Sequence, residues 1–286
     1  MVHKGFGLAR PGIRQSIHTF WDMSKKTILE FSRYPVAFIA LFVQVFLIIL
    51  MFMFAAFSFV APGAGAEIGR QFASVMVYGL IVNLFLSFTV WEVGFSIREE
   101  QFRGTLESLY LSPASKFGNL VARIFAVLSW TAVMSVFAIF VVGMLVGGLP
   151  AKNILLAFGV LGLTISGFLG IGFLFAAVTI RLKESAQFLV SFVQFFFLIF
   201  SAMFFPFSAL PRFLVDYVSR WLPVSYSVDA FRSLLIGLPE GFPELMPLNS
   251  ELVIIVLFGL FSPLLGYLVY KWIERKARAT GTLGEY

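Results

Sequence analysis

Apolar residues in this chain come in long unbroken runs, neither alternating nor confined to one helical stripe. Six runs reach the ~18–20 residues that a bilayer crossing requires: Val36–Val60, Phe72–Ile97, Leu120–Leu149, Ile154–Ile180, Ala186–Phe207 and Leu252–Trp272. Barrel strands are about half that length and alternate, so the pattern predicts helices. The expected fold is an all-α polytopic membrane protein with six transmembrane helices. The expected organisation is a tail over 1–34, a transmembrane domain over 35–272 and a second tail over 273–286.

Three segments between or before the runs carry a different pattern. In Ile13–Tyr34, Ile17, Phe20, Trp21, Ile28 and Phe31 recur at helical spacing among Arg14, Lys25, Lys26 and Arg33. That predicts an amphipathic helix on the membrane surface, held by Trp21 and anionic headgroups. Between the second and third runs lies a polar island, EEQFRGTLESLYLSP, from Glu99 to Pro113. Gly104 interrupts the preceding helix, Thr105 suits an N-cap and Glu107 suits the first turn. Leu106, Leu109 and Tyr110 share a face, and Ser112-Pro113 closes the segment. A helix this short is not stable alone and needs a surface to dock on. The third segment, 208–237, has two proline-punctuated helical pieces, Arg212–Leu222 and Ser225–Leu235. Leu214, Val218 and Trp221 fall on one face of the first; Tyr226, Ala230 and Leu234 fall on one face of the second. A hairpin dipping into the outer leaflet and packing on the bundle is expected, since irregular backbone at that depth must be buried in protein or a wet cavity. Residues Leu238–Ser250 read as loop.

Composition agrees with a chain written for lipid: 59% hydrophobic, 13% charged, mean hydropathy +0.94. Placing the N-terminus inside leaves only Arg70, Lys152, Arg212, Arg220 and Arg232 outside, of 21 Lys and Arg. The positive-inside rule then puts both termini and the polar island in the cytoplasm, with the protein multi-pass in the cell membrane. The same excess accounts for the net charge of +6 without invoking nucleic acid. The first apolar run begins near Pro35, after a long polar lead, and is too long for a cleavable signal.

Cysteine is absent, which excludes disulfides and thiolate chemistry. No G-x-x-x-x-G-K-[ST] phosphate loop and no H-E-x-x-H occur, so neither ATP hydrolysis nor zinc proteolysis is expected of this chain, and no metal site is predicted. Ionisable groups within the runs are few. Glu92 and Arg123 lie at similar depth on consecutive helices; they form a structural pair or a cytoplasmic gate, or else Glu92 snorkels alone. Asn83 suits an interhelical hydrogen bond or a substrate contact. Gln194 is the single amide of the fifth run, beside Phe195 and Phe196; this aromatic wall either lines a pathway for an apolar substrate or faces lipid. Gly143-x-x-x-Gly147 and Ser166-x-x-x-Gly170 are candidate close helix contacts, and Pro263 a candidate kink.

Two of these segments carry a family resemblance. REEQFRGTLESLYLSPAS, Arg98 to Ser115, is similar to the coupling-helix motif of the membrane subunits of ATP-binding-cassette type 2 exporters. That motif has a Glu/Arg-rich lead, then Gly-Thr-Leu-Glu, a Leu and Ser/Thr-Pro. On the other side of the membrane, Pro206, Leu210-Pro211, Pro223, Tyr226, Asp229 and Arg232 match the family's F-P…L-P…P…Y…D…R pattern. The resemblance implies a permease subunit, not an enzyme, that binds no cofactor itself. Two cytoplasmic ATPase subunits would hold ATP and magnesium and dock on Arg103, Gly104, Thr105, Leu106, Glu107, Leu109 and Tyr110. It implies a second permease, an identical or sister chain, with spans two and five lining the pathway. The Phe-rich fifth run favours a hydrophobic or amphipathic cargo, drug-like or lipid. The alternatives are a lipid-linked polysaccharide exporter and, from another class, a secondary transporter coupled to protons through Glu92.

Overall fold

The computed structural model describes residues 35–59, 66–102, 116–182 and 185–279, with Trp21, Asp22, Lys25, Leu29 and Arg33 as isolated positions. Those five are helical and exposed. The rest of the N-terminal amphipathic segment, the whole of Arg103–Tyr110 and the tail from 280 lie outside the described residues.

All regular structure among the described residues is helical. In chain order it forms α1 (Pro35–Phe59), α2 (Ala66–Phe102), α3 (Lys116–Val146), α4 (Ile154–Leu182), α5 (Ala186–Phe200), α6 (Arg212–Tyr217), α7 (Pro223–Ile236) and α8 (Leu248–Ala279), with 3-10 turns at Phe207–Ala209 and Ser219–Trp221. Among the described residues, four stretches are long and apolar enough to cross a bilayer: Gly69–Phe95, Ile124–Val146, Ile154–Thr179 and Leu248–Lys276. These are the second, third, fourth and sixth of the runs. The apolar stretches in α1 and α5, Ile39–Met51 and Ala186–Phe200, are shorter.

Helix α2 is the axis of the bundle. From Ala73 to Leu86 every residue but Asn83 is buried, on all faces, as expected for a helix surrounded by others. The other long helices bury one stripe each. On α3 it runs through Thr131, Met134, Ala138 and Val142, and on α8 through Glu251, Ile255, Gly259 and Gly266. The outward faces, such as Leu260, Leu264 and Leu268 on α8, are apolar and exposed, which suits contact with lipid.

Packing of α4 on α8 depends on small residues. A Cβ on Gly170 would overlap the Ser262 backbone, and one on Gly266 would overlap the Gly170 backbone. Two hydroxyls cross the seam reciprocally: Ser166 donates to the Gly259 carbonyl (2.7 Å), and Ser262 donates to the Gly167 carbonyl (2.9 Å). The Ser166/Gly170 expectation thus describes a close contact. Gly143, by contrast, faces open space in the single chain: a Cβ there would meet no atom of the described residues within 4 Å. Pro263 sits inside α8, which runs unbroken to Ala279.

The fifth run departs from expectation. Its helix stops at Phe200, having covered only ~22 Å at 1.5 Å per residue. The chain then turns through Ser201–Phe205, with Ala202 at a positive φ of 48°. The first hairpin piece is likewise interrupted. Val218 leaves helical geometry (φ −122°, ψ −61°), and a 3-10 turn follows. That break rotates Trp221 off the face of Leu214 and Val218, and it stands 80% exposed. The second piece, α7, is helical throughout, with Pro223 in its first turn and Gly237 as a left-handed C-cap (φ 100°). Every residue from Val224 to Ile236 is buried, against α2, α4 and α8.

Candidate functional site

Among the described residues, two places bring the candidate polar side chains of the interior together. The first is the cluster around α7. Arg232 is 1% exposed, and its guanidinium satisfies the turn that ends α5: Nη2 donates to the Met203 carbonyl (2.6 Å) and Nη1 to the Phe205 carbonyl (3.2 Å). Backbone carbonyls freed by a non-helical turn need such a donor when water is excluded. Gly79 of α2 makes the arrangement possible. A Cβ there would overlap both the Met203 carbonyl and the guanidinium. Burial pulls Arg232 down to about 10, against the opposing pull of Asp229 and Glu244.

Asp229, one helical turn before Arg232, accepts the Leu245 N–H through Oδ2 (2.7 Å). Burial pushes its carboxyl up, while that N–H and Arg232 hold it back. Glu244 receives the N–H groups of Phe207 (3.1 Å) and Ser208 (2.7 Å), closing the open end of the 3-10 turn. Burial raises Glu244 as well. Glu251, in the first turn of α8, is fully buried beside Asp229. Tyr226 donates its hydroxyl proton to the Arg220 carbonyl (2.7 Å), and Ser225 meets the Ser201 hydroxyl (3.2 Å). The prolines serve as punctuation: Pro206 and Pro211 precede the 3-10 turn and α6, and Pro223 opens α7. Of this cluster, sequence reasoning named Tyr226, Asp229 and Arg232. It missed Glu244 and Glu251, which lie within or just beyond the segment read as loop. The available signal was two carboxylates shortly before the start of an apolar run.

The second place is the α2–α5 contact. Trp91 donates its indole N–H to Gln194 Oε1 (3.0 Å), and Gln194 Nε2 donates to the Ser87 carbonyl (3.4 Å). The amide therefore ties α5 to α2. Phe196 packs on Phe200 with ring centroids 4.6 Å apart, and Phe195 is 64% exposed. Asn83 and Glu92 are half-buried on α2. Arg123 lies on α3, but its side chain is outside the described residues, as is any pairing with Glu92. Among the described residues, no three His, Cys, Asp or Glu side chains come together as metal ligands.

Nothing in either place supplies a nucleophile or an acid–base pair open to a substrate; both fasten helices together. The family model of the ABC-2 type transporter matches residues 18–236, from the N-terminal segment to the end of α7. The chain belongs to the ABC-2 type transporter family. Its part in transport is therefore that of a membrane component, which is not itself catalytic. Within that ABC-2 domain lie the polar island, the α2–α5 contact, Asp229 and Arg232; Glu244 and Glu251 lie past its end. No curated protein gives a significant match to the chain.

Proposed function

We propose that this chain is the permease subunit of an ATP-driven exporter that moves a hydrophobic or amphipathic compound, drug-like or lipid, out of the cytoplasm or inner leaflet. The observation that carries the reading is the ABC-2 match over most of a chain that has no phosphate loop of its own. Work must then come from separate ATPase subunits. Residues 104–113 are their docking helix, with Arg103 at its edge, and Leu106, Leu109 and Tyr110 supply the apolar face. ATP and magnesium belong to those partners. Helices α1 to α5 and α8 make six crossings, with both termini cytoplasmic and the α6–α7 hairpin re-entrant from outside.

Two permeases pair, with α5 and the half-buried positions of α2 between Asn83 and Glu92 along the pathway. Support for an apolar cargo comes from α5, where Phe188, Phe192, Phe195 and Ile199 recur at three- and four-residue spacing and are all exposed in the single chain. Gln194 holds that helix in register on α2, and its aromatic face is left outward.

Native mass spectrometry of the gently solubilised protein, with and without Glu107→Arg, tests this. The expected result is a complex of two permeases with two nucleotide-binding chains, lost in the variant. A chain that emerges alone or as a simple oligomer, whatever stands at 107, overturns it in favour of ATP-independent transport.

A further inference from the structure

The charged groups around α7 do not pair off. Arg232 spends Nη1 and Nη2 on backbone carbonyls, and its Nε has no acceptor among the described residues. Asp229 receives a donor at Oδ2 only, so Oδ1 has none. Glu251 is wholly buried and neither of its oxygens makes a full hydrogen bond among the described residues, the Met246 N–H being a weaker donor close by. Yet the Glu251 and Asp229 carboxyls lie within hydrogen-bonding reach of each other.

Beyond the Glu244 N–H near Asp229 and the Met246 N–H near Glu251, no side chain packed around the pair settles it. From the 237–247 connection comes Glu244, another carboxylate, already taken by Phe207 and Ser208. On α7, Tyr226 gives its proton to Arg220. From α2, Tyr78 gives its proton to the Pro150 carbonyl. The one ionisable residue of α4, Arg181, sits at the opposite end of that helix. If both carboxyls were ionised, three buried oxygens would be left without a full hydrogen bond. Two negative charges would face one guanidinium that is turned towards carbonyls. A buried carboxylate without a donor is costly, and two sharing one site cannot both stay charged. A single proton removes the conflict, because a protonated carboxyl becomes a donor to its neighbour.

We infer that Asp229 and Glu251 bind one proton between them, in a carboxylic acid–carboxylate hydrogen bond that latches α7 to the first turn of α8. The pair titrates as a unit. The remaining negative charge is held by the Leu245 N–H and the nearby Arg232. Release of the proton sets two carboxylates against each other at this one junction and drives α7 away from α8. The latch does not depend on which cargo the permease carries.

The test uses the full chain in lipid nanodiscs and infrared difference spectroscopy. At neutral pH a buried carboxylic-acid carbonyl band is expected, shifted by deuterium oxide and absent in Glu251→Gln. The thermal midpoint of the natural protein should fall as pH rises above neutrality, and that slope should flatten in Glu251→Gln, whose amide donates at every pH. Asp229→Asn provides a second reading, with the band lost or displaced in frequency. Absence of the band in the natural protein overturns the inference. So does a band indifferent to both substitutions, or a midpoint governed by sodium or potassium rather than pH.

Discussion

The Ser166 hydroxyl donates, at 2.7 Å, to the carbonyl of Gly259, the one that Pro263 deprives of its helical partner four residues on. Proline has no N–H, so that carbonyl would otherwise stand unpaired in an apolar seam. The proline and the serine that compensates it lie on different helices. Ser166→Ala should therefore lower stability by ~1–2 kcal/mol. In a Pro263→Ala background, where residue 263 regains its N–H, the same change should cost clearly less. A double-mutant cycle on thermal unfolding in detergent measures the difference. Equal losses in both backgrounds would contradict the assignment.

Gly79→Ala should be clearly destabilising, although it adds only one methyl to α2. Its methyl would enter space held by the Met203 carbonyl and the Arg232 guanidinium, neither of which can withdraw without breaking their hydrogen bond. Overpacking of this kind costs ~1–3 kcal/mol or more. Gly143→Ala, with no atom of the described residues within 4 Å, should change stability by less than ~0.5 kcal/mol. Size-exclusion profiles after mild heating would rank the two.

These glycines show what the sequence discloses. The apolar runs made the four long helices legible, because bilayer length is written directly into run length. The prolines and Gly237 marked the pieces of the hairpin for a similar local reason. Gly79 carries no local signal, since its necessity comes from Met203 and Arg232, more than a hundred residues away. Ser166 and Pro263 were each visible singly, as a close-packing residue and a possible kink. Their relationship was not, because it exists only across the seam between α4 and α8. The early end of α5 is equally non-local: the apolar run continues to Phe207, and the turn is held by Arg232.

Arg232→Met should destabilise by ~3–5 kcal/mol, the range for removing one member of a buried charged set. The Met203 and Phe205 carbonyls would lose their donor, and Asp229 its nearest cation. Arg232→Lys should recover only part of this, since one ammonium does not reproduce the guanidinium fork. Yield of monodisperse protein and its melting midpoint would read both.

The pH profile should run opposite to that of a protein held by salt-bridged carboxylates. Asp229 and Glu244 are both raised above their ordinary values, chiefly by burial. The folded state therefore binds more protons than the unfolded state over the window above those values. Their contribution is full below the ordinary carboxylate range and is lost as pH rises through the raised values. Melting midpoints should accordingly be highest on the acid side of neutrality. In Asp229→Asn/Glu244→Gln the slope should shrink even if the absolute midpoint drops.

Gln194→Leu should free α5 from α2 at the cost of two hydrogen bonds, ~1 kcal/mol or less each in a membrane. Trp91 would keep its stacking on Phe95, at 4.6 Å, but lose its N–H acceptor. Hydrogen–deuterium exchange in α5 should accelerate while that in α4 and α8 stays as before.

Helix α2 is a single shaft of 37 residues with no proline between Ala66 and Phe102. Phe102 adjoins the segment that begins at Arg103, and Gly79 bears the turn after α5 and the guanidinium of α7. The two points are ~35 Å apart along one rod at 1.5 Å per residue. An axial helix scarcely compresses, so a shove delivered at one end arrives at the other with its stroke intact. Because the bearing at Gly79 has no slack, the hairpin and the turn after α5 must ride with the shaft or come off it.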